Sequence, residues 1–132
     1  MFLITYIYDT LSEIYFANGD YEKVFEVYNN ALSDCEILDD SSKYTFYNRI
    51  GRTFYYKGDE FIDEAIRWFI LAIETKKDDN IFDLAGVYYM LSLCFMKKQD
   101  KKNAIVCINN AINRRNNNEF LKLKQQIMKI LN

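Results

Sequence analysis

The 132-residue chain contains no histidine and no proline, only four glycines and three cysteines. Each shortage narrows what the protein can do. Without histidine the chain lacks the commonest general base, the usual activator of a nucleophile and the commonest neutral metal ligand. The glycines stand alone at 19, 51, 58 and 86, so no glycine-rich phosphate loop is present. The cysteines, Cys35, Cys94 and Cys107, are odd in number and lack paired spacing, which argues against both a disulfide framework and a zinc site. Cys94 and Cys107 stand at helical positions among core residues and read as small buried hydrophobes, while Cys35 lies near a helix end. Nothing calls for a cofactor or a metal, and no catalytic residue is singled out. A reducing, cytoplasmic setting fits this cysteine usage. No stretch approaches the roughly 20 apolar residues that a membrane span requires. The opening Met1-Phe2-Leu3-Ile4 lacks the basic start and cleavage site of a signal peptide.

Apolar material is plentiful. Half of the residues are hydrophobic and 17% are aromatic, enough to fill the core of one domain of this length. Net charge is only −2, so no general attraction to nucleic acid or membrane follows from it. The charge is unevenly spread. Residues 1–96 hold 8 basic and 17 acidic side chains, whereas residues 97–132 hold 9 basic and 2 acidic.

The chain repeats itself. Residues Tyr47-x-x-Ile50-Gly51-x-x-Phe54 are followed by Gly58-Asp59 and then Ala65-x-x-x-Phe69-x-x-Ala72. Upstream stand Tyr8-x-x-Leu11-Ser12-x-x-Tyr15, Gly19-Asp20-Tyr21 and Val24-x-x-x-Tyr28-x-x-Ala31. Downstream stand Tyr88-x-x-Leu91-Ser92-x-x-Phe95, Gln99-Asp100 and Ala104-x-x-x-Ile108-x-x-Ala111. The lead tyrosines are 39 and 41 residues apart. Each copy reads as two helices: small residues allow close approach, and aromatics fill the space between them. Gly58 is expected to end its helix in the left-handed conformation.

This pattern resembles the tetratricopeptide repeat. It departs from that pattern in carrying Ser12 and Ser92 for the usual glycine, Val24 for the usual alanine, two extra residues between Gly58 and Ala65, and no terminal proline. The period near forty is similar to that of the peptide-sensing bacterial regulators of the Rap and PlcR type. The resemblance implies an all-α, right-handed superhelix within a single domain over 1–132. Three helix pairs are expected over about 2–38, 41–78 and 80–115, with a capping helix over 118–131. The periodicity predicts helices near 2–17, 21–36, 42–57, 61–77, 81–98, 101–114 and 119–131. Leu11, Ile14 and Tyr15 form the expected buried stripe of the first helix, and Ala65, Ile66, Phe69, Ile70, Ala72 and Ile73 that of the fourth. Asp20, Asp79 and Asn80 are candidate caps. The helix over 81–98 is apolar all round and is expected to be buried on more than one side. The last helix presents Lys122, Gln125, Gln126 and Lys129 as the polar outer side of a cap.

The resemblance also implies a function, protein or peptide binding without catalysis. In such arrays the inner wall is made by the first helix of each pair. Carried over, that wall is Asp9, Glu13 and Phe16, then Asn48, Arg49, Arg52, Tyr55 and Tyr56, then Tyr89, Leu93, Met96 and Lys97. The wall offers an amide for a peptide backbone, a guanidinium for a carboxylate, and rings and a thioether for apolar side chains. Asp9 and Glu13 in the first repeat do not match the Lys/Asn/Arg clamp that grips acidic chaperone tails. Phe2, Leu3, Ile4 and Ile7 lie on a first helix with nothing before it, so a homo-oligomer through these residues is expected, the alternatives being a piece of a longer array or a fold-back onto the first repeat. The basic segment from Lys97 to Lys129 lacks interleaved aromatics beyond Phe120, so nucleic acid is not the expected partner. The acidic pairs Asp39-Asp40, Asp59-Glu60, Asp63-Glu64 and Asp78-Asp79 read as helix-end groups.

Overall fold

Glycine-, aspartate- and asparagine-rich breaks between apolar stretches mark where helices stop and start, and the computed structural model follows those that lie among its described residues. It describes residues 2–34, 38–75 and 84–130, with side chains from 5 to 33 in the first of these. The described residues form helices and no strand. The chain divides into two compact units, Met1–Lys77 and Asp78–Asn132. The first unit holds α1 (Phe2–Ala17), α2 (Tyr21–Asp34), α3 (Asp40–Lys57), a 3₁₀ turn (Asp59–Phe61) and α4 (Ile62–Thr75). The second holds α5 (Leu84–Lys97), α6 (Lys101–Arg114) and α7 (Asn118–Met128). Helices α1 and α2, α3 and α4, and α5 and α6 pack as successive pairs, and α7 packs on α6. The expected cap residues Asp79 and Asn80, the pair Asp78-Asp79, and Cys35 lie outside the described residues.

The turns within pairs explain the repeat's punctuation. After α1, Gly19 takes φ 78°. Its N–H donates to the Phe16 carbonyl at 3.0 Å, and the Asp20 N–H donates to the Tyr15 carbonyl at 2.9 Å. This crossed pair satisfies carbonyls that the helix end would leave open. The same pair recurs after α5, where Gln99 donates to Met96 and Asp100 to Phe95, each at 2.9 Å. There a non-glycine residue holds the left-handed conformation, with φ 59° at Gln99. Gly58 behaves differently from the sequence expectation. Its φ of 160° and ψ of 163° are extended, not left-handed. The two extra residues of this repeat form the 3₁₀ turn instead, with Phe61 donating to the Gly58 carbonyl at 3.1 Å.

Side-chain caps start three helices. Asp39 accepts from the Ser42 N–H at 2.8 Å and Asp100 from Asn103 at 3.1 Å. Asn117 accepts from Glu119 at 2.8 Å. Hydrogen bonds from the side chains of Ser42 and Asn103 first, and from their backbone N–H groups second, hold the Asp39 and Asp100 carboxyls below the usual aspartate range.

The small positions of the repeat pack as the sequence requires. Gly51 lies directly under the ring of Phe69, and Ala65 and Ala72 are fully buried. The serines that stand in for glycine are also buried. Ser92 Oγ donates to the Ala104 carbonyl at 2.8 Å, so its hydroxyl is satisfied inside the α5–α6 pair. In the first unit Val24, Tyr28, Ala31, Leu38, Phe46 and Ile50 form a core, with Phe25 stacked on Phe54 at 4.3 Å. In the second, Ala85, Ala104, Ile108, Ala111, Phe120, Leu123 and Ile127 form another. Cys94 and Cys107 are buried, and that burial pushes their thiols up to about 12 and about 11. Leu84, Ala85, Val87, Met90, Leu91, Ser92 and Cys94 of α5 are all buried, in keeping with its apolar sequence.

Three expectations are corrected. Leu11 and Ile14 are exposed; of the expected stripe only Tyr15 packs inward, and α1 buries Ser12 and turns Tyr8 and Phe16 inward with it, because it is apolar on two sides and only one faces α2. Ile70 is exposed, while Phe69 one residue earlier fills the core. The outer side of α7 carries its expected Lys122, Gln125, Gln126 and Lys129 but also exposes Leu121 and Met128. The side chains of Phe2, Leu3 and Ile4 lie outside the described residues, and Ile7 is exposed.

Candidate binding cleft

Within the first unit, α1, α2 and α3 enclose a cleft of about 180 Å³. Its floor is made by Ser12, Val24, Tyr28 and Thr53, all buried, and its walls by Glu13, Phe16, Arg49, Arg52 and Tyr56. The helical period puts these together. Arg49, Arg52, Thr53 and Tyr56 follow one another at spacings of three, one and three on α3, hence along one face. Glu13 and Phe16 do the same on α1.

A polar chain runs from the floor to the rim. Ser12 Oγ lies 2.5 Å from Tyr28 Oη and 2.9 Å from the Asp9 carbonyl. Tyr28 donates to Asp9 Oδ1 at 2.7 Å. Asp9 pairs with Arg49 Nε at 3.2 Å, and Arg49 Nη2 reaches Glu13 Oε1 at 2.9 Å. Burial, above all, raises the Tyr28 phenol well beyond its ordinary value, so the hydroxyl remains a donor at any physiological pH. The buried tyrosine is thereby fully partnered, which offsets the cost of placing a polar group in the core. Arg49 is thus braced against α1 by two carboxylates. Arg52 has a different neighbour, its Nε lying 3.4 Å from the amide oxygen of Asn48 one turn earlier. Thr53 Oγ1 donates back to the Arg49 carbonyl at 2.8 Å. The rim is aromatic, with Phe16 edge-on to Tyr56 at 5.6 Å and Tyr55 edge-on to Tyr56 at 5.1 Å.

The sequence-predicted wall residues therefore fall into two groups, one in each unit. Asn48, Arg49, Arg52, Tyr55 and Tyr56 of α3 gather at or beside the cleft with Glu13 and Phe16. In the second unit Tyr89, Leu93 and Met96 are half-buried and pack against the core, and Lys97 is exposed. Tyr89 stacks on Phe120 of α7 at 5.1 Å. Tyr89 and Leu93 line a shallow groove with Glu119, Lys122, Leu123 and Gln126. Arg67, on α4, is exposed and pairs with Glu64 of the same helix at 3.1 Å. Sequence reasoning missed the cleft floor. Its one available signal was the hydroxyl of Tyr28 at a repeat position where the other copies carry Phe69 and Ile108.

Residues 85–118 match the family model described as tetratricopeptide repeat. The chain also superposes on the N-terminal domain of stress-induced protein-1 from C. elegans with a TM-score of 0.76, covering 95% of this chain and 94% of that one at 18% identity. Residues 85–118 thus carry a tetratricopeptide repeat, and the chain shares the fold of that solved domain. No curated protein sequence matches it. The matched segment spans α5, α6 and the start of α7. A repeat of this kind indicates a protein-interaction module. Among the described residues no helix is long and apolar enough to cross a membrane.

Proposed function

We propose that this repeat protein binds a peptide segment of a partner protein, without catalysis, in the cleft of its first unit. The observation that supports this reading most is the composition of that cleft: two guanidinium groups, an amide and aromatic rings around a cavity of about 180 Å³. Arg49 is anchored by Asp9 and Glu13, which fixes the wall. Arg52, oriented by Asn48, is the group assigned to a ligand carboxylate, either an acidic side chain or a C-terminus. Phe16, Tyr55 and Tyr56 supply apolar contact for flanking side chains. Tyr89, Leu93, Met96 and Lys97 are assigned to the same function as a second contact surface. The period near forty supports a role as the sensory or scaffold part of a bacterial regulator.

The test is a peptide array carrying free and amidated C-termini and acidic side chains, followed by calorimetric titration of the tightest sequence. A charge-assisted hydrogen bond contributes roughly 1.5–3 kcal/mol. Arg52→Ala is therefore expected to weaken binding about ten- to a hundredfold, and Arg67→Ala, the same change of charge on α4, to leave it within about twofold. Equal losses would reduce the effect to net charge. Unchanged binding by Arg52→Ala would remove the ligand from this cleft.

A further inference from the structure

Two apolar surfaces of this molecule have no cover among the described residues. On α1, Ile7, Leu11 and Ile14 are 54%, 39% and 55% exposed. Their spacing of four and three places them in one stripe, the arrangement that packs against another helix. On α7, Leu121 and Met128 are 40% and 56% exposed and border a groove completed by Lys124, Gln125 and Lys129. Helices α1 to α6 pack in pairs, but α7 packs on α6 and is followed by no further helix among the described residues. The exposed Leu121 and Met128 give α7 an apolar face that a second helix would cover.

Charge selects which surface meets which. The unit that carries α1 holds 8 basic and 14 acidic side chains, a balance of −6. The unit that carries α7 holds 9 basic and 5 acidic, a balance of +4. Helix α1 carries no basic residue, whereas Lys122, Lys124 and Lys129 lie on or just after α7. Pairing α1 with α1 of another copy would set two acidic units together. Pairing α1 with α7 sets an acidic unit on a basic one, within the roughly 8 Å over which charges act at physiological salt.

We propose that the Ile7–Leu11–Ile14 stripe of one copy docks in the Leu121–Met128 groove of a second copy, head to tail. Such a contact is heterologous, so each copy keeps one surface of each kind and association continues until the ring closes or chains grow. The cleft is not part of this contact, and the two inferences stand or fall separately.

The test uses the full chain in sedimentation velocity from about 5 to 200 µM. The wild-type protein is expected to rise in mean mass from one chain to two or more. Ile14→Lys, which sets an ammonium against the α7 lysines, is expected to stay at one chain mass. So is Leu121→Lys combined with Met128→Lys. An equimolar mixture of these two proteins retains one intact surface of each kind and is expected to form a 1:1 dimer and nothing larger. A monomeric wild-type chain at 200 µM would overturn the proposal. So would self-association of the α7 variant, which would mean α1 pairs with itself, and so would a mixture that stays monomeric. All three sites are exposed, so circular dichroism is expected to be unchanged. If a lysine variant fails to fold, Ile14→Ser and Met128→Ser replace the charged pair, with the same order of masses expected.

Discussion

Gly51→Ala isolates the packing rule on which the repeat is built. A Cβ added at Gly51 would lie 2.8 Å from Phe69 Cε1, 2.9 Å from Cδ1 and 3.1 Å from Cζ. Carbon atoms in favourable contact sit about 3.5–4.0 Å apart. The ring must therefore retreat by roughly 0.7 Å or more, yet Phe69 is fully buried and has no open side. Overpacking of this kind costs about 1–3 kcal/mol. Alanine opposes that by favouring helix over glycine by about 1 kcal/mol in mid-helix. Three ring atoms overlap at once, so the upper half of the strain range applies, and a net loss of roughly 1–2 kcal/mol is expected. In a chain of this size that lowers the melting temperature by about 3–5 °C per kcal/mol. Thermal melts followed by circular dichroism read it directly. The decisive version is a cycle with Phe69→Leu, a smaller side chain in the same place. The ring is then gone, and Gly51→Ala in that background is expected to be neutral or stabilising. A stabilised Gly51→Ala single variant, or equal effects in both backgrounds, would refute the claim that α3 and α4 meet through this contact.

Three further outcomes are expected. Gln99→Gly relieves a left-handed residue that costs roughly 1 kcal/mol, so its melting temperature should rise, while Gly19→Ala should fall by a similar amount. Asp39 has a folded-state pKa below its unfolded value. Its stabilising effect is therefore fully present above the unfolded value near pH 4 and lost as pH falls through the lower, folded one. Asp39→Asn, which caps as well but does not titrate, should match the wild type at neutral pH and lose less stability on acidification. Cys94 and Cys107 have thiols raised by burial to about 12 and about 11; their peptides should carry no label after iodoacetamide treatment of the folded protein at pH 8, and full label in denaturant.

How much of this was legible in the sequence depends on the range of the interaction. Helix pairs, the small residues at Gly51, Ala65 and Ala72, and the helix-end place of Asp39 follow from spacing alone, since their partners lie a few residues away or recur in register. Helix α1 was misread because periodicity finds an apolar stripe without saying which of two stripes faces the core; Leu11 and Ile14 lie on the other one. The left-handed role given to Gly58 failed because the two inserted residues made a 3₁₀ turn, while Gln99 took that conformation without being glycine. The polar chain from Ser12 through Tyr28 and Asp9 to Arg49 joins residues 16, 19 and 40 apart. No local pattern encodes it, and it is the feature that turns a row of wall residues into a braced cleft.

The central claim, that the cleft of the first unit receives a peptide, is tested most directly by amide chemical-shift mapping with the tightest peptide from the array. Perturbations are expected to concentrate at Glu13, Phe16, Arg49, Arg52, Thr53 and Tyr56, with Arg67 unmoved. Perturbations confined to α4, or to the α7 groove around Leu121 and Met128, would contradict it.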